Sequence, residues 1–164
     1  MSLCSHEHHH ALHGGHDHPN VDTRLAEAEQ LCAASGARLT PLRKEVLELI
    51  LKASGPMGAY DLLAQIKSSS DRPAAPPTVY RSLDFLLEKG LIHRLTSIKA
   101  YIPCCHPREG HQAAFLICTE CKVVKEASAQ GLLQQLDQLA ASDHFTAQHT
   151  IIEISGKCQQ CTNQ

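Results

Sequence analysis

Two Cys-x-x-Cys pairs constrain the fold of this chain more than any other feature of its sequence. The first pair is Cys118 and Cys121, and the second pair, Cys158 and Cys161, lies at the C-terminal end. A gap of two residues lets one tight turn direct both sulfur atoms at one metal ion, and two such turns complete a tetrahedral zinc shell. Because four thiolates leave no open position for a substrate, the spacing predicts a structural zinc site rather than a catalytic one.

The composition disfavours several classes of protein. The 164 residues include 15 Lys and Arg against 17 Asp and Glu, which gives a net charge of −2 with histidine neutral. Bulk charge therefore does not support nucleic-acid binding, which must rest on local residues. No apolar run is long enough to span a membrane, and the N-terminus lacks the layout of a signal peptide. Eight cysteines and 12 histidines, with the paired Cys-x-x-Cys spacing, indicate metal binding in a reducing cytoplasm rather than disulfide bonds.

Residues 1–20 are expected to form a disordered, histidine-rich tail, because they contain too few apolar side chains to pack. Its residues of metal-ligand type are Cys4, His6, His8, His9, His10, His13, His16 and His18. Two interpretations stay open. The imidazoles could bind metal as a loose buffer or a delivery arm, or the tail could be a solvated segment that binds metal only because imidazoles do so.

Residues 21–103 have the element order of a winged helix-turn-helix. Apolar residues recur at helical spacing in four stretches, which begin near Thr23, Thr40, Ala59, and Pro77 or Thr78. Gly55-Pro56 is expected to end the second helix, and Cys32 on the apolar face of the first is predicted to be a core residue. Two strands, Ile92–Leu95 and Ala100–Pro103, are predicted around a turn. Helices that end in such a hairpin predict a DNA-binding domain.

The rest of the chain predicts a hinge over residues 104–111 and a second domain over residues 112–164. The predicted elements of this domain are strands at Phe115–Cys118, Val123–Ala127 and His149–Ile154 and a helix over residues 132–140. Helices and strands that are segregated in this way indicate the α+β class.

The helix from Thr78 to Lys89 is the candidate DNA-reading element. In a helix-turn-helix, the first turns of the second helix enter the major groove, where an arginine can bind guanine through two hydrogen bonds. The helix N-terminus would also favour phosphate. The candidate DNA-contacting residues are Thr78, Tyr80, Arg81 and Ser82 on the exposed face of this helix and Arg38, Arg43 and Tyr60 elsewhere in the domain. An ordinary three-helix module with a solvated charged face would show nearly the same features.

A second set of zinc-ligand types is spread over the hairpin, the hinge and the second domain. The residues of this set are His93, Cys104, His111 and Glu126. Spacing alone does not select them over Cys105, His106 or Glu109, and a single histidine on a strand is commonly a satisfied polar group.

Three stretches of the chain resemble the ferric uptake regulator family. They are Arg38–Arg43, Ala59–Leu63 and Pro76–Leu86. The Pro-Pro-Thr-Val-Tyr-Arg-x-Leu-Asp-Phe-Leu run, followed by Gly90–His93 and the two Cys-x-x-Cys pairs, resembles the zinc uptake regulator branch. The likeness extends in order over about residues 22–162. It implies a cytoplasmic homodimer with an N-terminal winged helix-turn-helix domain and a C-terminal α/β dimerisation domain.

The resemblance also implies a function and a set of sites. Zinc-bound members bind operator double-stranded DNA and repress zinc-uptake genes. Carried over by position, the resemblance places a structural zinc on the four Cys-x-x-Cys residues. It places a regulatory zinc on His93, Cys104, His111 and Glu126, which makes two zinc ions per subunit. It implies no catalytic residue, no small-molecule substrate and no membrane partner.

The hinge motif separates the metal types within the family. Iron-type members have a His-His-x-His motif there, whereas this chain has Cys104-Cys105-His106 followed by His111. A thiolate in the regulatory shell also favours zinc over iron by ligand softness. His144 and His149 lie where some members have further ligands, and they stay unassigned. A regulatory metal that joins the wing, the hinge and the distal domain would fix the spacing of the two recognition helices in a dimer.

Other functions remain as alternatives. An iron, manganese or peroxide sensor of the same family is the nearest, and the histidine-rich tail suggests a zinc store or chaperone. A zinc enzyme is disfavoured because the chain has neither a His-Glu-x-x-His motif nor a deaminase signature. A thiol redox protein is disfavoured because two separated Cys-x-x-Cys pairs point to metal.

Overall fold

The chain divides into two compact units. The computed structural model describes residues 4–6, 20–66, 75–107, 113–148 and 150–162, with only the backbone described at 4–6. One unit comprises residues 8–109, and the other comprises residues 1–7 together with residues 110–164. We call them the N-terminal unit and the C-terminal unit. The described helices include none with the length and apolar character to cross a membrane.

Among the described residues, the N-terminal unit contains four helices and a small sheet, and the C-terminal unit contains a larger sheet and two helices. In chain order the elements are β1 (Cys4–His6), α1 (Val21–Ala34), α2 (Pro41–Lys52), β2 (Met57–Gly58), α3 (Ala59–Gln65), α4 (Pro76–Glu88), β3 (Ile92–Leu95), β4 (Ala100–Pro103), β5 (Ala113–Cys118), β6 (Val124–Ser128), α5 (Gln130–Ser142), β7 (Ile152–Gly156) and α6 (Gln159–Thr162).

One apolar cluster forms the core of the N-terminal unit. The predicted helical stripes supply it, with Val46 of α2, Leu62 of α3 and Leu83 of α4 fully buried. Cys32 of α1 is buried in the same cluster, and burial raises the pKa of its thiol. Its prediction as a core residue is therefore confirmed. The apolar faces of α1, α2, α3 and α4 pack against one another in this core. The outer face of α4 remains exposed to solvent.

The wing follows α4 through a tight C-cap. Gly90 adopts a left-handed φ of 64°, and the Leu91 amide donates to the Leu86 carbonyl at 2.9 Å. This turn leads into β3, which pairs antiparallel with β4 in the predicted hairpin. The bounds of both strands are confirmed. β2 adds a third strand beside β4, and at two residues it is too short to give a pattern in the sequence.

Several predicted bounds are wrong by a few residues. α4 begins at Pro76, because proline is well suited to the first helical position, and not at Pro77 or Thr78. α2 ends at Lys52 with Ala53 already extended, so Gly55-Pro56 lies beyond its end. The predicted last strand, His149–Ile154, is replaced by β7, and His149 lies outside the described residues.

The C-terminal unit contains a four-stranded sheet in the order β1-β6-β5-β7. β5 pairs antiparallel with β6 and parallel with β7, and α5 packs on the sheet through Leu133 beside Ala114 and Ala129. Because β5 and β7 are parallel, their C-terminal ends lie side by side at the same end of the sheet. The expectation of disorder is wrong at Cys4–His6, because these residues form β1. Asn20 caps α1, and the rest of the tail lies outside the described residues.

Candidate metal centres and nucleic-acid interface

The four Cys-x-x-Cys sulfur atoms come together in the C-terminal unit. All four lie within 4.8 Å of one another, and the Sγ atoms of Cys121 and Cys158 are 3.6 Å apart. A tetrahedral zinc ion with bonds of about 2.3 Å to sulfur needs sulfur atoms about 3.8 Å apart. The site therefore has the donor set and the spacing that structural zinc requires.

The parallel pairing of β5 and β7 explains how two pairs so far apart in sequence meet. Cys118 is the last residue of β5 and lies opposite Gly156, the last residue of β7. The chain leaves β5 through a turn in which the Lys122 amide donates to the Cys118 carbonyl at 3.1 Å. After β7, the Cys161 amide donates to the Cys158 carbonyl at 3.0 Å at the start of α6. Each Cys-x-x-Cys pair thus occupies one tight turn, and the two turns lie at the same end of the sheet.

Hydrogen bonds from the backbone and from neighbouring side chains give the thiols of the site different pKa values. The Cys158 amide donates to the Cys118 sulfur at 3.4 Å and lowers the pKa of that thiol to about 6. A hydrogen bond with the Cys158 side chain raises the pKa of Cys161 to about 12. Because the thiolate is the form that binds metal, zinc binding at this site must release protons.

Two residues of the second predicted set lie together at the base of the wing. His93 of β3 pairs with Ile102 of β4, and the Cys104 amide just beyond β4 donates to the Leu91 carbonyl at 3.0 Å. A metal-binding nitrogen of His93 and the Cys104 sulfur lie within 4.8 Å of each other. The imidazole and the thiolate can therefore share one metal ion.

The backbone of Cys104 is held by an interaction that sequence reasoning missed. The Arg24 guanidinium, on α1, donates a hydrogen bond to the Cys104 carbonyl. The two residues are 80 positions apart, so no local pattern could have linked them. Cys104 itself is buried, and its place is fixed by Leu91 on one side and Arg24 on the other.

The remaining candidate ligands fall into three groups. Glu126 lies on β6 in the C-terminal unit and is only 4% exposed, as expected of a carboxylate that is hydrogen-bonded or binds a metal. His111 and His149 lie outside the described residues. Cys105, His106 and His144 belong to no group of three or more ligand types in the described parts of the chain.

The exposed face of α4 carries three of the four DNA-contacting residues that were predicted on this helix. Thr78 and Arg81 are exposed, and Tyr80 is 42% exposed, while Val79 between them is buried. These side chains occupy the first turns of the second helix of the helix-turn-helix. That position is where such proteins contact base edges.

Two details of the predicted DNA face are wrong. Ser82 is only 4% exposed, and its hydroxyl donates to the Thr78 carbonyl at 3.1 Å, so it lies on the buried side of α4. The N-terminus of α4 is also a poor phosphate site. Pro76 and Pro77 have no amide hydrogen, and the Thr78 amide donates to the Ala75 carbonyl at 2.9 Å.

The other predicted DNA-contacting residues differ in whether their side chains are free to reach DNA. Tyr60 is 77% exposed, and Arg38 is exposed. Arg43 instead stacks its guanidinium 3.6 Å from the centre of the Phe85 ring and donates to the Arg38 carbonyl at 2.7 Å. Arg43 therefore has a structural role in joining α2 to α4.

Comparisons with known proteins agree with this architecture. Residues 34–155 match the ferric uptake regulator family model. The zinc uptake regulation protein of Escherichia coli is 43% identical over 138 residues, which are 84% of this chain and 80% of that protein. A solved zinc uptake regulator complexed with zinc and DNA is 40% identical, with a TM-score of 0.82 over 88% of this chain and 97% of its own. The holo crystal structure of XcZur is 37% identical, with a TM-score of 0.79 over 87% of this chain and 99% of its own.

The family match covers most of the chain, and the identity to the bacterial relative extends over both structural units. The winged helix-turn-helix and the C-terminal α/β domain are the fold expected from the resemblance, and that fold class is confirmed. This chain therefore belongs to the ferric uptake regulator family.

Proposed function

We propose that this protein is a zinc-sensing transcriptional repressor that binds operator DNA as a cytoplasmic homodimer when it is loaded with zinc. The observation that carries the proposal is the pairing of His93 and Cys104 at the base of the wing. These two donors lie in the DNA-binding domain, whereas the four-cysteine site lies in the other unit. One site can therefore hold the fold while the other responds to zinc.

A regulatory role at the wing has a physical basis in the hydrogen bonds around Cys104. Its amide donates to the carbonyl of Leu91, whose own amide donates to the Leu86 carbonyl of α4. A change in the position of Cys104 is thus coupled by two backbone hydrogen bonds to the end of the DNA-reading helix. Zinc supplies charge and fixed ligand geometry there, and its effect is limited by its preference for the DNA-competent state.

Two zinc ions per subunit would occupy the two sets of candidate ligands. The four-cysteine site would bind the first ion permanently, because all its donors are thiolates in two tight turns. We assign the second ion to His93, Cys104, His111 and Glu126. A mixed shell of imidazole, thiolate and carboxylate should exchange zinc more readily, which suits a sensor. Zinc as the metal and DNA as the partner are supported by the relative that was solved with both zinc and DNA.

The DNA contacts are assigned to residues whose side chains are accessible. Arg81 of α4 would contact a base edge, with Thr78 and Tyr80 beside it, and Tyr60 and Arg38 would contact the backbone. A homodimer would present two copies of α4 to two half-sites, and only a matching separation allows both to bind. The net charge of −2 makes this local face the part of the surface that must attract DNA.

The decisive experiment is a metal titration of DNA binding. Protein stripped at the exchangeable site would be titrated with Zn²⁺, Fe²⁺ or Mn²⁺, with operator binding and metal content measured on the same samples. We expect tight, specific binding to appear with zinc as the second ion per subunit is bound. Operator binding that responds to iron or manganese at lower free concentration would identify a sensor of another metal. Many weakly bound zinc ions without a specific DNA complex would indicate a zinc store.

A further inference from the structure

The lysines and arginines of the N-terminal unit divide into paired and unpaired charges. Three lysines on its helices form ion pairs with carboxylates, namely Lys44–Glu29, Lys52–Glu48 and Lys89–Glu88. In the described part of this unit, the exposed cations that form no ion pair are Arg38, Arg81, Arg94 and Lys99. Arg38 and Arg81 are already proposed to contact DNA. Arg94 lies on β3 of the wing, and Lys99 lies in the turn between β3 and β4.

The turn at the tip of the wing holds Lys99 in an unusual backbone conformation. Residues 96–99 join β3 to β4, and the Lys99 amide donates to the Thr96 carbonyl at 3.4 Å. Lys99 has a left-handed φ of 53°, which glycine adopts far more readily than a residue with a β-carbon. Residues held in such conformations are concentrated at functional sites. An exposed lysine at this position therefore indicates a use for its charge.

Arg94 lies on the face of the wing that is turned towards α4. It is paired with Tyr101 of β4, and directly opposed residues share one face of a sheet. Tyr101 is only 5% exposed and belongs to the apolar core of the unit. Burial raises the pKa of its hydroxyl, the Arg94 guanidinium lowers it, and Tyr80 and Asp84 of α4 raise it. Because Arg94 and Tyr80 act on the same buried hydroxyl, Arg94 lies close to the DNA-reading face of α4.

We propose that Arg94 and Lys99 make the wing a second DNA-contacting element, in which each side chain binds a backbone phosphate beside the base pairs contacted by α4. This inference deepens the proposed function, because it rests on this chain binding double-stranded DNA through α4. Phosphate contacts carry no sequence information, but they fix the register and orientation of a protein on the duplex. The wing would thereby hold α4 at one depth and angle in the major groove.

Phosphate is the group on DNA that suits these two side chains. A guanidinium can donate two parallel hydrogen bonds to a phosphate, and a lysine ammonium binds it as a point charge. Neither Arg94 nor Lys99 has to leave a carboxylate of the described residues to do so, whereas Lys52 would have to leave Glu48. The whole chain has a net charge of −2, so its attraction for a polyanion depends on locally unpaired cations such as these.

The test measures how DNA binding by the full-length, zinc-loaded protein depends on salt. The probe is a duplex that the wild type selects from a random-sequence pool, and its affinity is measured over a series of salt concentrations. Arg94→Gln and Lys99→Gln are each compared with the wild type and with Lys52→Gln. Lys52→Gln is the matched control, because it removes the same charge from an exposed lysine that is already paired with Glu48. The melting temperature of each variant is measured alongside.

We expect each wing variant to lower the slope of log affinity against log salt concentration by about one for each bound subunit, and the affinity by about fivefold for each subunit. Lys52→Gln should leave the slope unchanged. Arg94→Lys should restore the slope that Arg94→Gln loses, because lysine keeps the charge. A slope that is unchanged in a wing variant overturns the phosphate contact of that residue. A lower affinity and melting temperature with an unchanged slope would show that Arg94 only packs the wing against its core.

Two further results separate this inference from the proposed function. If the zinc-loaded wild type selects a duplex and Arg81→Ala weakens its binding, while the salt slopes of both wing variants equal that of the wild type, only the role of the wing fails. If the zinc-loaded wild type selects no duplex, the proposed function fails, and the inference about the wing fails with it.

Discussion

The four-cysteine site and the His93–Cys104 pair both offer thiolate donors, but they occupy two different structural settings. The four cysteines all belong to the C-terminal unit and lie in two turns at one sheet edge, so that unit completes the site alone. His93 and Cys104 belong to the N-terminal unit and supply only two donors there. A complete site stabilises the fold around it, whereas two donors depend on ligands from elsewhere. Such dependence is what makes a site suitable for sensing.

Loss of one cysteine from the complete site should have the largest effect. Cys118→Ser removes a thiolate at the end of β5, and we expect loss of one zinc ion and a fall of more than about 10 °C in the melting temperature of the C-terminal unit. Metal analysis and thermal unfolding would measure both. Cys105→Ser is the matched control, because this half-buried cysteine lies in neither ligand group. Unchanged stability in Cys118→Ser would break the distinction between a structural and a sensing site.

Acid should empty the complete site in a characteristic way. Zinc displaces protons from thiols, so its apparent affinity falls as the pH falls. Cys161, with a pKa of about 12, must lose a proton throughout the usual pH range, whereas Cys118, with a pKa of about 6, must lose one only at lower pH. The slope of log affinity against pH should therefore steepen by about one below pH 6. Competition with a chelator would measure it, and a constant slope through that pH would contradict the prediction.

Loss of a metal ligand from the His93–Cys104 pair, here called the wing pair, should remove the zinc response of DNA binding without unfolding the protein. We expect Cys104→Ser to reduce the zinc stimulation of operator binding by about tenfold or more while one zinc ion and the melting temperature are retained. DNA binding with and without added zinc would measure the change, again with Cys105→Ser as the control. If Cys104→Ser binds its operator with a normal zinc response, the wing pair is not the sensor.

Substitutions of the predicted DNA-contacting residues should change operator binding without changing zinc binding at either metal site. Arg81→Ala should cost about 1–3 kcal/mol of operator affinity and relax specificity at one base pair, with the zinc content unchanged. Arg38→Ala is the informative comparison, because loss of a phosphate contact should weaken all sequences alike and lower the salt slope by about one. Binding to a panel of operator variants would measure both. A uniform loss for Arg81→Ala would assign it to the DNA backbone instead.

The sequence predicted that the four cysteines come together, because each half of this cluster is local. A Cys-x-x-Cys turn is specified by adjacent residues, and the spacing alone indicated zinc. The same holds for the wing strands and for the inner faces of α2 and α4, where apolar spacing identified the core. Ser82 was misplaced because it lies one residue beyond the exposed Arg81, where a small error in helix phase changes the face.

The wing pair could not be derived from spacing because it depends on strand register. His93 and Cys104 are brought together by the pairing of β3 with β4, and Cys105 and His106 were equally plausible by sequence. The resemblance to a known family selected among these candidates where spacing could not. β1 was missed for a similar reason, since its three residues have no apolar pattern and form a strand only because β6 offers an open edge.

Substitution of Arg24 should have the smallest effect that still distinguishes the wing pair from the four-cysteine site. Its guanidinium donates to the Cys104 carbonyl, and lysine at this position would keep the charge but not the planar geometry. We expect Arg24→Lys to weaken zinc binding at the wing by about 1 kcal/mol, or roughly fivefold, because a loosened Cys104 backbone holds the thiolate less firmly. Zinc competition on protein with a filled four-cysteine site would measure it. Loss of zinc from the four-cysteine site in the same variant would show that the two sites are not independent, and the comparison between them would fail.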